Sequence, residues 1–238
     1  TLIIRDGRDG HSESEKYHMH TDLRTSNSVT FQSSDRVLFE GDSLTEGLKN
    51  NYARQMGWDQ TWAHRVDEWL FTHRPEMNLE FKNLAVGGNS TRNLLARADD
   101  AITFNPTVVL FTMGTNDAII GLSPDEFRAN LIAWCDRLHS AGCRTFIHVG
   151  GFPPCPNADA GTSAILEACK PYDAVTKEVI EVRGGFQINV AAYLLPRAEA
   201  LALKWKDHTI YSSGVHYNAL GNELIAGAVL TRLGFWKE

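Results

Sequence analysis

From Arg36 onward, short apolar runs alternate with stretches of helical period, and the runs end in small or polar residues. VLFE leads into Gly41-Asp42-Ser43, LEFKNLAV into Gly87-Gly88, and TVVLFTM into Gly114-Thr115-Asn116-Asp117. RTFIHVGG and FQINVAAYLL read as two further strands. The intervening stretches carry helical signals. Trp58, Trp62, Val66, Trp69 and Leu70 fall on one stripe. Ser123-Pro124-Asp125-Glu126 reads as an N-cap, a first-turn proline and a capping-box glutamate. That helix continues through Phe127, Leu131, Trp134 and Leu138 and should stop at Ala141-Gly142, where glycine suits a left-handed cap. Further helices are expected near 163–182 and from Asn218 to about Leu233. Strands joined through helices need right-handed crossovers, which give a mostly parallel sheet covered on both faces. The expectation is a three-layer α/β/α fold around five strands. In such sheets ligands bind outside the carboxyl ends of the strands, so the residues that follow each apolar run are the first candidates for a site.

The organisation around this frame is simple. Residues 35–238 form one domain of ordinary size. Residues 1–34 read as a polar N-terminal extension with room for an edge strand at Ser28–Phe31. His11, His18 and His20 in that extension have no cysteine neighbours and read as a solvated tail, not a metal site. A net charge of −6 with no dense Lys/Arg cluster argues against nucleic acid as a partner. No apolar run approaches the roughly 20 residues that cross a bilayer, so no integral membrane segment is expected. The four cysteines contain no C-x-x-C pair, which argues against structural zinc. Cys155 and Cys169 flank a loop-like stretch and could bridge in an oxidising compartment, whereas Cys135 and Cys143 read as buried thiols. The chain opens on TLIIRDGRDG, without a signal-peptide pattern or an initiator Met. A trimmed precursor is the expectation. Cytoplasmic and secreted locations both stay open, as does the oligomeric state.

Four clusters at or near the strand ends carry chemistry. Ser43 would sit on a sharp strand-to-helix turn permitted by Gly41, which exposes its oxygen for nucleophilic attack. The same pattern also fits a serine that merely caps a helix. Gly87-Gly88 lets backbone N–H groups approach a substrate oxygen. Asn116 offers a side-chain N–H that can be aimed at a developing oxyanion, and Asp117 reads as a brace for its loop. His216, with Asn218 and Gly221 nearby, would be the general base, although its own neighbourhood does not set it apart from a structural histidine.

The order Gly-Asp-Ser-Leu, glycine-rich turn, Gly-Thr-Asn-Asp and Gly-Val-His before a last helix resembles the SGNH or GDSL-type serine esterases and lipases. The resemblance spans about residue 35 to the end. It implies a flavodoxin-like α/β/α fold and acyl transfer to water without metal or organic cofactor. Carried over residue by residue, it implies Ser43 as nucleophile and His216 as base. The backbone of Ser43, the backbone of Gly88 and the side chain of Asn116 would form the oxyanion hole, with Asp42 and Asp117 in support.

One position departs from the pattern. The family places an aspartate three residues before the histidine, and this chain has Ser213. Three readings follow: a Ser–His dyad in which Ser213 or a backbone carbonyl orients the ring, a carboxylate from elsewhere with Asp207 nearest in sequence, or an inactive site on a binding module. The resemblance leaves the ester open. A short-chain or carbohydrate acetylesterase is the preferred expectation, since no long apolar lid segment is evident. A lipolytic esterase or thioesterase, a weak or inactive carbohydrate-binding member and an acyltransferase are the alternatives. Tyr52, Trp58, Trp62 and Tyr217 could stack on a sugar, with core burial the competing fate.

Overall fold

The structure, a computed structural model, describes residues 31–47, 60–204 and 209–236, without the side chain of Ser213. Its centre is a five-stranded parallel sheet of β1 (Arg36–Glu40), β2 (Glu80–Asn83), β3 (Val108–Phe111), β4 (Thr145–Gly150) and β5 (Phe186–Asn189). The strand order is β2-β1-β3-β4-β5. β1 therefore has β2 on one side and β3 on the other, and the direction of winding reverses there. That reversal opens a crevice at the carboxyl ends of β1 and β3.

Alternation of side chains sorts the strands into two cores. Val37, Phe39, Val108, Leu110, Ile147 and Val149 face α2 (Trp62–His73), α8 (Val190–Lys204) and α9 (Ala219–Arg232). Leu38, Val109, Phe111 and Phe146 face the other layer. That layer holds α3 (Thr91–Ala96), α4 (Ala98–Phe104), α6 (Pro124–Ser140) and α7 (Ala160–Glu181). β1 and β3 are buried along nearly their whole length, which is why they read as unbroken apolar runs. Each large side chain hidden in this way contributes about 1.5–3 kcal/mol relative to exposure.

Local chemistry ends the elements where expected. Ser123 Oγ accepts from the Glu126 N–H at 3.2 Å and Pro124 opens α6. Gly142, with φ of 104°, follows its end. The final helix is capped by Asn218, whose Oδ1 accepts from the Gly221 N–H at 2.9 Å. Two expectations need correction. FQINVAAYLL is strand only through Asn189, and α8 begins at Val190, because a long apolar stretch does not reveal its period when both faces are greasy. The helices α3 and α4 were not anticipated either: they are short, and their apolar residues are interrupted by Arg97, Asp99 and Asp100. Trp62 is completely buried, edge-on to Phe39 with ring centroids 5.6 Å apart. Tyr217 is also buried. Neither can stack on a sugar. Tyr52, Trp58, Ser28 and the three N-terminal histidines lie outside the described residues. All four cysteines are free thiols in this structure, including Cys155 and Cys169.

The turn after β1 is the tightest in the sheet. Gly41 has φ of 124°, and a Cβ there would stand 2.1 Å from the Thr112 carbonyl oxygen. Gly41→Ala is expected to destabilise the protein by at least about 2 kcal/mol, combining strain with a backbone clash. Urea denaturation followed by far-UV circular dichroism measures this directly.

Candidate active site

Four chain segments converge at the carboxyl edge of the sheet. The first is the β1 turn. Asp42 caps α1 (Ser43–Glu46), its Oδ1 accepting from the Leu44 N–H at 3.0 Å and the Thr112 hydroxyl at 3.0 Å. Thr112, just after β3, also shares a 2.8 Å hydrogen bond with Thr45. Ser43 thereby becomes the first residue of a helix, half-buried and pointing out of the turn. The first N–H groups of a helix have no acceptor within it, so the Ser43 amide is placed to bind an anionic oxygen.

His216, the candidate base, arrives from the far end of the chain. β6 (Tyr211–Ser213) and β7 (His216–Tyr217) form an antiparallel hairpin in which Ser213 opposes His216. His216 Nε2 lies 2.8 Å from Ser43 Oγ, a direct hydrogen bond between residues 173 positions apart. The hairpin is fixed on both flanks. Tyr211 donates its hydroxyl to the Pro153 carbonyl at 3.0 Å and accepts from the Cys155 N–H at 3.2 Å. On the other flank, a Cβ at Gly221 would meet the Ile210 carbonyl oxygen at 2.5 Å, so only glycine lets α9 start this close.

The oxyanion side is built from the β2 and β3 ends. A Cβ at Gly87 would lie 3.5 Å from that of Ser43, which puts the glycine turn against the serine. Gly88 is exposed, has φ of 80°, and nothing stands within 4 Å of where its side chain would begin. Asn116 sits in α5 (Thr115–Ile119) after the left-handed Gly114. Its Nδ2 donates to the Asn89 carbonyl at 2.9 Å. An amide nitrogen carries two hydrogens, so this contact orients the group and leaves a second donor. Asp117 is fully buried and ties the loop to α3, accepting from the Thr91 N–H at 2.9 Å and the Thr91 hydroxyl at 2.6 Å. Ser43, His216, Gly88 and Asn116 are thus gathered along one edge, with Asp42 and Asp117 behind them. Asp207 lies outside the described residues, as does the side chain of Ser213.

Several supporting groups escaped the sequence reading. Glu40 ends β1 completely buried and forms a two-pronged ion pair with Arg97, at 2.6 and 2.9 Å. Arg97 also donates to the Leu84 carbonyl and to Asn89 Oδ1, at 2.6 and 2.8 Å. Burial pushes the Glu40 carboxyl up to about 7 even though Arg97 opposes the shift. Burial likewise raises Asp42 to about 6, and its Oδ2 has no hydrogen-bond partner among the described residues. Asp117 is raised by burial as well. No sequence spacing marks these groups, because Glu40 and Arg97 are 57 positions apart. A charged residue closing an apolar strand was the available signal.

Known proteins resemble this chain in sequence and in fold. The profile of the GDSL-like Lipase/Acylhydrolase family matches residues 39–224. An arylesterase of Vibrio mimicus is 27% identical over 128 residues, which are 53% of this chain and 60% of the relative. The matched stretch therefore spans less than two thirds of that arylesterase. An acetylxylan esterase from Geobacillus stearothermophilus superposes with a TM-score of 0.68 at 20% identity, over 87% of this chain and 97% of the other. An alpha/beta hydrolase enzyme from the metagenome of Lake Arreo, Spain, gives 0.66 at 21% identity, over 87% and 99%. At such identities these two structures show a shared fold. Catalytic mutants of the acetylxylan esterase replace a serine, an aspartate and a histidine, the aspartate three positions before the histidine.

The buried Asp42 carboxyl gives a pH test. Burial holds its carboxyl at about 6, above the ordinary aspartate value of 3.8, so the folded state holds the proton that the unfolded state releases first. Its contribution to stability therefore falls as pH rises from about 4 to about 6. Asp42→Asn keeps an acceptor for Leu44 and Thr112 but cannot titrate. Its stability relative to the unaltered protein should improve across that window and level off above it, read from denaturant midpoints at a series of pH values.

Proposed function

The chain belongs to the GDSL-like lipase/acylhydrolase family, a family of carboxylic ester hydrolases, and from that premise we propose that it hydrolyses short-chain esters by a serine mechanism. The observation that carries this reading is the 2.8 Å hydrogen bond between Ser43 Oγ and His216 Nε2, at the crevice where the winding of the sheet reverses. A serine hydroxyl becomes an effective nucleophile when an imidazole within this distance takes its proton.

The steps follow from the placement of the groups. His216 Nε2 accepts the hydroxyl proton while Ser43 Oγ attacks the ester carbonyl carbon. The carbonyl oxygen acquires negative charge and faces the amides of Ser43 and Gly88 and the Asn116 side chain. His216 then gives its proton to the departing alcohol oxygen as the carbon–oxygen bond breaks, leaving an acyl-Ser43. Water repeats the sequence with His216 again as base, and the carboxylic acid leaves. His216 must be held with its proton on Nδ1 for this to work. In this reading Ser213, opposite His216 in the hairpin, takes the position at which an aspartate stands in the Geobacillus esterase.

For the alcohol, we favour an acetylated sugar or a similarly small acceptor. The likeness to an acetylxylan esterase supports it. The Vibrio arylesterase supports a second reading, an aryl ester. Among the described residues, no helix is long and apolar enough to cross a membrane.

Ser43→Ala should abolish hydrolysis of acetylated xylo-oligosaccharides and of short aryl acetates while the melting temperature stays close to that of the unaltered protein. Full activity in that variant would sink the nucleophile assignment, and the ratio of rates on the two substrates separates the two alcohols. Ser213→Asp tests the departure from the family pattern. If the position is a lost acid, kcat should rise; an equal or lower kcat would mean that the histidine is already held by other groups.

A further inference from the structure

A glutamate one helical turn beyond the nucleophile touches the glycine turn across from it. Glu46 is the last residue of α1, three positions after Ser43, so the two side chains share a helix face. Its Oε2 accepts from the Gly87 N–H at 2.7 Å. The same oxygen lies 2.7 Å from where a Gly87 Cβ would begin. Gly87 does not have a positive φ, so backbone conformation is not what requires glycine at this position. A Cβ there would instead meet the mobile end of the Glu46 side chain, so an added methyl would displace the carboxylate and leave the backbone free of clashes with it.

The other anchors of the turn lie on either side of its glycines, and beyond them Asn89 accepts from the Asn116 side chain on its carbonyl and from Arg97 on its own side chain. Val86 donates to the Gly41 carbonyl at 3.0 Å and Asn89 donates to the Val86 carbonyl at 3.1 Å, closing the turn at its two ends. Between those ends lie Gly87 and Gly88, two residues with no side chains to pack. Gly88 faces open space. Something must fix the direction of its amide, because a hydrogen-bond donor is useful to a transition state only when it is aimed in advance. A negative charge beside a site where negative charge develops is electrostatically unfavourable, so Glu46 is not there to stabilise the oxyanion. Its charge strengthens the hydrogen bond to Gly87.

We infer that Glu46 is a positioning residue: its carboxylate holds the Gly87 N–H and thereby sets the Gly87-Gly88 turn so that the Gly88 amide points at the substrate oxygen beside Ser43. This rests on the ester-hydrolase reading above. A side chain at position 87 would displace the carboxylate that holds the turn.

The geometry defines a double-mutant cycle. Glu46→Ala should lower kcat by about 10- to 100-fold, less than removal of a direct donor, with KM within about threefold of the unaltered protein. Gly87→Ala should do the same by pushing the carboxylate away. The two changes remove one interaction, so the double variant should be no slower than the worse single one. Glu46→Gln retains an acceptor oxygen and should restore most of kcat. Thermal melts on the same preparations should shift little. The inference is overturned if Glu46→Ala keeps kcat within about twofold, if the two losses multiply, or if glutamine is as poor as alanine. Ser43→Ala assayed in parallel separates the levels of argument. Without serine-dependent hydrolysis in the unaltered protein, the ester-hydrolase reading falls and this inference with it. Serine-dependent hydrolysis that is indifferent to Glu46 removes the inference alone.

Discussion

The ion pair between Glu40 and Arg97 organises the carboxyl edge of the sheet. Glu40 is the final residue of the strand around which the winding reverses, and it has no exposure to solvent. Arg97 satisfies both its carboxylate oxygens and reaches the Leu84 carbonyl and the Asn89 side chain. The strand that leads to Ser43, the end of its neighbour and the glycine turn are thus joined through one guanidinium, whose planar fork suits simultaneous contacts. Asn89 in turn receives the Asn116 side chain on its carbonyl. Breaking a buried pair by deleting one partner typically costs about 3–5 kcal/mol, since the survivor is left charged and dry. Replacing the whole pair by apolar residues could leave the fold as stable, yet it would remove the link between these three segments.

Around that pair, the site is assembled from rigid parts. Thr112 joins the cap of α1 to the end of β3, and Asp117 joins the β3 loop to α3. Buried carboxyls with hydrogen bonds from hydroxyl and amide groups perform both tasks. Their raised pKa values are the mark of their burial, not of proton-transfer duty. The hydrogen bonds to Asp42 and Asp117 come from groups that also hold a backbone in place, so the strain of presenting Ser43 and Asn116 is distributed over the loops. Gly41 and Gly114 provide the turns, with positive φ at both.

Much of this was readable from residue order alone, and the reasons are physical. Buried parallel strands are continuous apolar runs, and their ends are where small polar residues can turn the chain, so VLFEGDS and TVVLFTMGTND announced both a strand and a site. The caps at Ser123 and Asn218 follow from local hydrogen bonding. What stayed hidden depends on distance. The start of α8 was masked because VAAYLL is equally compatible with both periods. Arg97 is one charge among several in the polar stretch of residues 97–100, and nothing in the sequence connects it with Glu40. Glu46 was read past for the opposite reason, since a glutamate in a polar turn needs no explanation until the Gly87 amide is found against it.

The hairpin that carries His216 has a consequence for the timing of biogenesis. Ser43 opens the short helix that follows the first strand and His216 lies in the hairpin just before the final helix, and the two meet although they are 173 positions apart. A chain that has emerged through β5 carries every strand of the parallel sheet and still lacks the residue that hydrogen-bonds to Ser43. The contact between Ser43 and His216 therefore waits on the last elements of the chain, the hairpin seated on the Pro153–Cys155 loop and α9 packed on α2 and α8. Until then Ser43 has no imidazole beside it.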